Sequence, residues 1–201
     1  MKVIINSKDI WFRLGVECCL QQVCAGVDKF FNVGAASRNV AMDNADLIIL
    51  PLHSYRDYKH LYELSNLFPG LILGVSSSRN IRSGRLYYRG NILWVSCRES
   101  IGNVQQLLHA LSHTKLYRND GKPDFSIIKA KEGVPLSERE MMIIDRVAAG
   151  MPITGIARDL GLRVKTIYAH LDKIKGNFGI RGGNNFHRFM ISPLSYYLCW
   201  T

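Results

Sequence analysis

The chain has 201 residues, an ordinary hydrophobic fraction of 47% and a formal net charge of +10. That length holds one to two domains with a real core, and the hydrophobic fraction excludes a disordered chain. The positive balance suggests an anionic partner. It is spread along the chain, however, at +4 for residues 1–112, +2 for 113–135 and +4 for 136–201, so it does not locate a site.

Residues 1–112 alternate short apolar runs with helical patterns. Val3–Asn6 is a predicted strand, and Asp9–Val23 a helix with Ile10, Leu14, Cys18 and Cys19 turned inward. Phe30–Val33 makes a second strand, followed by a short helix capped by Ser37. Leu47–Leu50 is a buried strand by its continuous apolar run, Ser54–Phe68 a helix, Leu71–Val75 a strand and Asn91–Ser96 another. Glu99–Ser112 closes the series as a helix burying Ile101, Val104, Leu108 and Leu111. Repeated βα units of this length imply a doubly wound α/β domain with right-handed crossovers. Residues 114–135 lose periodicity and gain Lys, Asn, Asp and Gly, which marks a linker.

The C-terminal region, residues 136–201, reads as all-α. Ser137 and Glu140 stand at capping-box spacing and open a helix that Gly150 ends, with Ile143, Ile144, Val147 and Ala148 on one face. Pro152 suits the first turn of a second helix carrying Ile156, Ala157 and Leu160. Leu160-Gly161-Leu162 is the corner of two crossed helices. The next helix, Arg163–Gly176, places Ile167, Leu171, Ile174 and Phe178 on one stripe. Lys165, Tyr168, Ala169, Asp172 and Gly176 form a second stripe that a small core does not need. A fourth helix is predicted over Asn184–Ser192, stopped by Pro193, with Phe186, Phe189, Met190 and Ile191 as its apolar area.

Other chemistry finds little support. The five cysteines, Cys18, Cys19, Cys24, Cys97 and Cys199, are odd in number and lack C-x-x-C spacing, so reduced thiols are the plain expectation. His109 and His113 have metal-pair spacing on a helix, but no third ligand accompanies them. No nucleophile elbow and no phosphate-binding glycine loop occurs, so neither an enzyme nor a cofactor is expected. Arg79, Arg82, Arg85 and Arg89 line a stretch that is either a solvated loop or a partner surface. Lys8, Asp9, Arg13 and Glu17 break any signal-peptide core, and no run reaches membrane-spanning length, so a cytoplasmic protein with no membrane partner is expected.

Leu136-Ser137-x-Arg139-Glu140, Gly150, Ile156-Ala157-x-x-Leu160, Lys165-Thr166-Ile167-x-x-His170 and Phe178-Gly179-Ile180 together resemble the helix-turn-helix of LuxR/FixJ-type transcription regulators. Gly155 departs from the pattern, which usually has an acidic residue there. The resemblance implies a four-helix module at 136–201 that binds double-stranded DNA. Tyr168, Ala169 and Asp172 would read bases, and Arg163, Lys165, Thr166 and Lys173 would contact phosphates. It also implies pairing through Phe186, Phe189 and Met190 of the fourth helix, and RNA polymerase as a further partner.

Residues 1–113 resemble a response-regulator receiver through Arg13-Leu14-Gly15, Asp46-Leu47-Ile48-Ile49-Leu50 and Gly90, but the receiver's chemistry is missing. On that alignment the metal-binding acidic pair becomes Ser7 and Lys8, the phosphoacceptor becomes Pro51 and the lysine becomes Cys97; only the hydroxyl position, Ser76, remains. The implied domain is a pseudo-receiver that is not phosphorylated. The whole chain is similar to auxiliary regulators of enteric bacteria, which leaves two readings. One is a DNA-binding regulator working as a homo- or heterodimer. The other is an interaction protein that modulates a related regulator without binding DNA alone.

Overall fold

The structure is a computed structural model that describes residues 1–23, 29–31, 45–78, 81–113, 124–133 and 136–190. The chain forms two compact units. One comprises Met1–Leu52, Glu63–Ser77 and Ile81–Gly133, the other His53–Tyr62, Ser78–Asn80 and Val134–Thr201.

The first unit is built on a sheet of β1 (Lys2–Ile5), β2 (Lys29–Phe31), β3 (Leu47–Leu52), β4 (Leu71–Ser76), β5 (Tyr87–Arg89), β6 (Ile92–Ser96) and β7 (Lys131–Glu132), in the order β2-β1-β3-β4-β6-β5-β7. The strands β2, β1, β3, β4 and β6 are parallel, and their 2-1-3-4-5 order is that of a doubly wound sheet with its switch point between β1 and β3. Val3, Ile5, Leu47, Ile49, Leu71, Leu73, Leu93 and Val95 point to one face, against α1 (Ile10–Val23) and α3 (Ile101–His113). Their alternates Ile4, Ile48, Leu50, Ile72, Ile92 and Trp94 are equally buried, which is why these strands read as continuous apolar runs. Between β3 and β4 the chain forms α2 (Tyr55–Leu67).

Several expectations need correction. Helix α1 turns Phe12, Val16, Cys19, Leu20 and Val23 to the core, while Ile10, Leu14 and Cys18 are exposed. Both stripes are apolar, and only the position of the sheet chooses between them. Ile101, the first residue of α3, is likewise exposed rather than buried. Tyr87–Arg89, within the arginine-bearing loop, pairs antiparallel with β6. Lys131–Glu132, within the expected linker, pairs with β5, and Phe125 is buried against Tyr88 with ring centroids 4.5 Å apart. The helix expected at Ser37 lies outside the described residues.

The helices of the second unit follow the sequence closely. Helix α4 (Glu138–Ala148) begins at a complete capping box: Ser137 accepts from the Glu140 N–H, and the Glu140 carboxylate accepts from the Ser137 N–H at 2.9 Å. Pro152 holds the N-cap of α5 (Ile153–Asp159). Gly161, at φ 63°, makes the corner into α6 (Val164–Asn177), in a conformation a side chain resists. Helix α7 (Gly183–Met190) follows. Ile143, Ile144, Ile156, Ala157, Ile167, Leu171, Ile174, Phe178 and Phe189 make the buried centre of the four helices.

Candidate nucleic-acid interface

The two stripes of α6 separate as their spacing requires. Ile167, Leu171 and Ile174 are buried, and Phe178 caps the helix from inside. On the other side Arg163, Lys165, Tyr168, Ala169 and Asp172 are exposed, with Tyr168 at 52%, and Thr166 is half-buried. Arg163 stands at the N-cap without a side-chain acceptor. The first N–H groups of α6 are therefore left for solvent or an anion, and the helix dipole adds positive potential at the same end. Asp172 accepts from Lys175 at 3.1 Å, but its side chain is 73% exposed. Such a surface pair is worth at most about 1 kcal/mol, so the carboxylate stays available as an acceptor.

Lys173 has a partner inside the module. Its ammonium lies 2.8 Å from Oε1 of Glu140, which has no exposed side-chain surface. The contact is an ion pair outside good hydrogen-bond geometry. Lys173 thus neutralises a buried carboxylate and ties α6 to the start of α4. Glu140 is the residue that sequence reading undervalued: its capping role was legible, but a pairing partner 33 positions away was not. Nearby, Arg146 pairs through Nε with Asp159 and donates to the Met142 carbonyl, fastening α4 to α5. Burial raises the Asp145 carboxyl above its ordinary range, with Arg146 opposing the shift.

The expected pairing residues are also placed elsewhere. Phe189 is fully buried, and Phe186 and Met190 are nearly so. The Phe178 and Phe189 rings lie 5.0 Å apart, Phe186 stacks at 6.4 Å from Phe189, and Tyr55 meets Phe189 edge-on at 6.1 Å. In this conformation their apolar area closes the unit's own core, so it offers no ready surface to a second copy.

The positions that the resemblance aligned with a receiver's metal, phosphoacceptor, hydroxyl and lysine groups gather at the carboxyl edge of the sheet. Ser7 and Lys8 follow β1, Pro51 lies in β3, Ser76 ends β4 and Cys97 follows β6. Lys8 and Cys97 are exposed, whereas Ser76 is fully buried. Ser7 Oγ accepts from the Asp9 N–H, and Asp9 in turn caps α1 by accepting from Trp11 and Phe12. Asp46 lies at the opposite edge, accepting from the Lys2 N–H at 2.6 Å. Proline is tolerated in β3 because β1 pairs only as far as Ile49, so the missing N–H at Pro51 breaks no ladder bond. Among the described residues no group of three His, Cys, Asp or Glu is placed to hold a metal, and His109 and His113 simply stack at 4.1 Å. No helix among them is long and apolar enough to cross a membrane.

Residues 134–185 match the GerE family, described as bacterial regulatory proteins of the luxR family. Over 61 residues the chain is 36% identical to the transcriptional regulatory protein TdiR of Thauera aromatica, which covers 30% of this chain and 27% of that protein's length. Among solved structures, RcsB of Salmonella enterica serovar Typhimurium bound to promoter rprA, with the phosphomimetic BeF3-, is similar at 18% identity and TM-score 0.43; the match covers 96% of this chain and 98% of that one. The Salmonella typhimurium RcsB response regulator in another structure gives 18% identity and TM-score 0.39, covering 94% and 98%. The four-helix arrangement, the capping box, the Gly161 corner and the doubly striped α6 fall in the matched segment, so residues 134–185 are the part of this chain that is similar to bacterial regulatory proteins of the luxR family.

Proposed function

We propose that the chain is a sequence-specific DNA-binding transcription regulator, with α6 as its recognition helix. The observation that carries this is the exposed stripe of α6, which presents Tyr168, Ala169 and Asp172 on the side opposite the buried one. The major groove admits one helix, and these three residues supply a hydroxyl and ring, a methyl for thymine, and an acceptor for a cytosine amino group. Arg163, Lys165 and Thr166 lie at the N-terminal end of that stripe, where phosphate contacts fix register without reading sequence. The curated relative is named a transcriptional regulator, which supports the same reading.

In this reading residues 1–113 are a pseudo-receiver, 114–135 join it to the DNA-binding module of 136–201, and the protein works in the cytoplasm as a dimer on two half-sites, with RNA polymerase downstream. Phosphorylation has no role, because Pro51 offers no nucleophile and Lys8 places an ammonium where a divalent cation would sit. Nothing in the geometry calls for an enzyme. The alternative, an auxiliary protein that modulates a related regulator, draws on the acidic Asp172 in the reading stripe, since a carboxylate repels phosphate unless its base partner is present. A gel-shift of the purified chain on its own promoter region, with and without cell extract, decides between them. A shift by the chain alone supports the first reading; a shift only with extract supports the second.

A further inference from the structure

We propose that the first unit holds a small-molecule site whose ligand is a zwitterion with an apolar body, of the class of the aromatic and branched aliphatic amino acids. A cavity opens between α3, the Arg82–Arg85 turn and the turn at 126–129. Its volume is about 490 Å³, within the about 300–1,000 Å³ usual for small-molecule sites. All its lining residues belong to the first unit. Val95 from the sheet and Leu107 from α3, both buried, give it an apolar wall. Ile127 lines it as well and is left 52% exposed, so apolar surface there has no cover from this unit. An apolar hollow with a few convergent polar groups is the ordinary form of a ligand site.

The polar groups choose the ligand. Glu99 and Lys129 line the same cavity, yet they make no ion pair with each other. The Glu99 carboxylate is held in place from several sides. Its Oε1 accepts from Ser83 Oγ at 2.7 Å and from Asn103 Nδ2 at 2.6 Å, and its Oε2 from the Gly84 N–H at 2.6 Å. Among the described residues Oε2 takes only that bond, so it keeps a lone pair for a further donor. A simple acid in the cavity would meet the like charge of Glu99, and a simple amine that of Lys129. A molecule carrying both charges satisfies each, while its apolar body covers Val95 and Leu107. Gln106, also in the lining, adds an amide that has no partner among the described residues.

The backbone of Lys129 adds an independent observation. Among the described residues it is the one non-glycine position at positive φ, at 53°. Side chains resist that conformation, and glycine is the usual choice there. No contact inside the unit explains a lysine at this point, because its ammonium has no partner among the described residues. The turn that carries it is nevertheless anchored. The Lys129 N–H donates to the Ser126 carbonyl at 3.0 Å, the Ala130 N–H donates to the Phe125 carbonyl at 3.2 Å, and Phe125 is buried. A strained residue on a fixed turn is retained for what its side chain does, and this one brings an ammonium to the cavity.

The test is an amide NMR titration of the isotope-labelled full chain, without DNA, so its outcome is independent of the recognition-helix reading. The probes are L-phenylalanine and L-leucine, which carry both charges, phenylacetate, which carries only the carboxylate, and phenethylamine, which carries only the ammonium. Millimolar phenylalanine or leucine should shift the amides of Gly84, Leu107 and Ile128 saturably. The single-charge probes should bind about tenfold more weakly, for want of one charge-assisted contact. Lys129→Gly should melt close to the wild-type temperature, because φ 53° suits glycine, and should also bind about tenfold more weakly. Lys129→Arg, which keeps the charge, should retain binding. The proposal is overturned by any of three results: no saturable shift at those amides with either amino acid, undiminished binding by Lys129→Gly, or a single-charge probe that binds as well as the zwitterions.

Discussion

Replacing Lys173 with alanine probes the least expected feature of the DNA-binding module. Glu140 is fully buried and keeps its bond from the Ser137 N–H, and its other carboxylate oxygen lies 2.8 Å from the Lys173 ammonium. Breaking a fully buried ion pair costs about 3–5 kcal/mol, because one charge is left in a poor solvent. Lys173 is 47% exposed, so water reaches the gap and replaces part of the loss. A cost of about 1–2 kcal/mol follows, near the upper end for partly exposed pairs. For a module of this size that lowers the melting temperature by about 5–15 °C. Hydrogen exchange of the α4 and α6 amides in the full chain reports this locally, without interference from the sheet. Lys173→Ala combined with Glu140→Gln should recover part of the loss, since the unpaired charge is gone. The salt slope of DNA binding should stay as in wild type, because Lys173 is committed inside the module. Unchanged exchange in Lys173→Ala, together with a flatter salt slope, would refute this assignment and return Lys173 to the phosphate contacts.

Phe189→Ala should destabilise the second unit by about 3–5 kcal/mol, seen as lost near-ultraviolet dichroism and early melting, because the ring is fully buried against Phe178. Gly179→Ala should also destabilise it: φ is 60° there, and an added Cβ would lie 2.5 Å from the His53 carbonyl oxygen, a distance no relaxed structure keeps. A chemical-denaturation midpoint shifted by less than the error would count against that packing. Glu99→Gln should loosen the Arg82–Arg85 turn. Partial burial opposes ionisation of Glu99, but hydrogen bonds from Asn103, the Gly84 N–H, Ser83 and the Ser100 N–H outweigh it and hold the carboxyl below its ordinary value. With a lowered folded-state pKa, this contribution is present above the ordinary carboxylate range and fades as pH falls through the lowered value. Exchange at Gly84 followed against pH checks it. Mg²⁺ with acetyl phosphate should leave melting temperature and DNA affinity unchanged, and a shift in either would reveal an acceptor other than Pro51.

Local signals carried most of what was legible. The capping box of Ser137 and Glu140, the Gly161 corner and the two stripes of α6 depend on residues within a few positions of one another. The strands β3, β4 and β6 showed as apolar runs because both faces of the sheet are covered. What failed was decided at a distance. Helix α1 has two apolar stripes, and the one through Phe12, Val16 and Leu20 won only because the sheet lies on that side. The two-residue strand Lys131–Glu132 has no periodicity to read, and its partner Tyr87–Tyr88 is more than 40 residues earlier. Phe186, Phe189 and Met190 were correctly seen as apolar, but apolarity alone does not say whether a helix closes its own core or meets another chain.

Whether the exposed stripe of α6 reads duplex DNA is decided by selecting preferred duplexes from a random pool. Wild type, Tyr168→Ala and Lys165→Ala are carried through the same selection, and the affinity of each for the winning duplex is then measured against salt. Tyr168→Ala should change the preferred sequence, while Lys165→Ala should keep the preference, bind more weakly to all duplexes and flatten the salt slope by about one unit. Wild-type preference and affinity retained in both variants would contradict it.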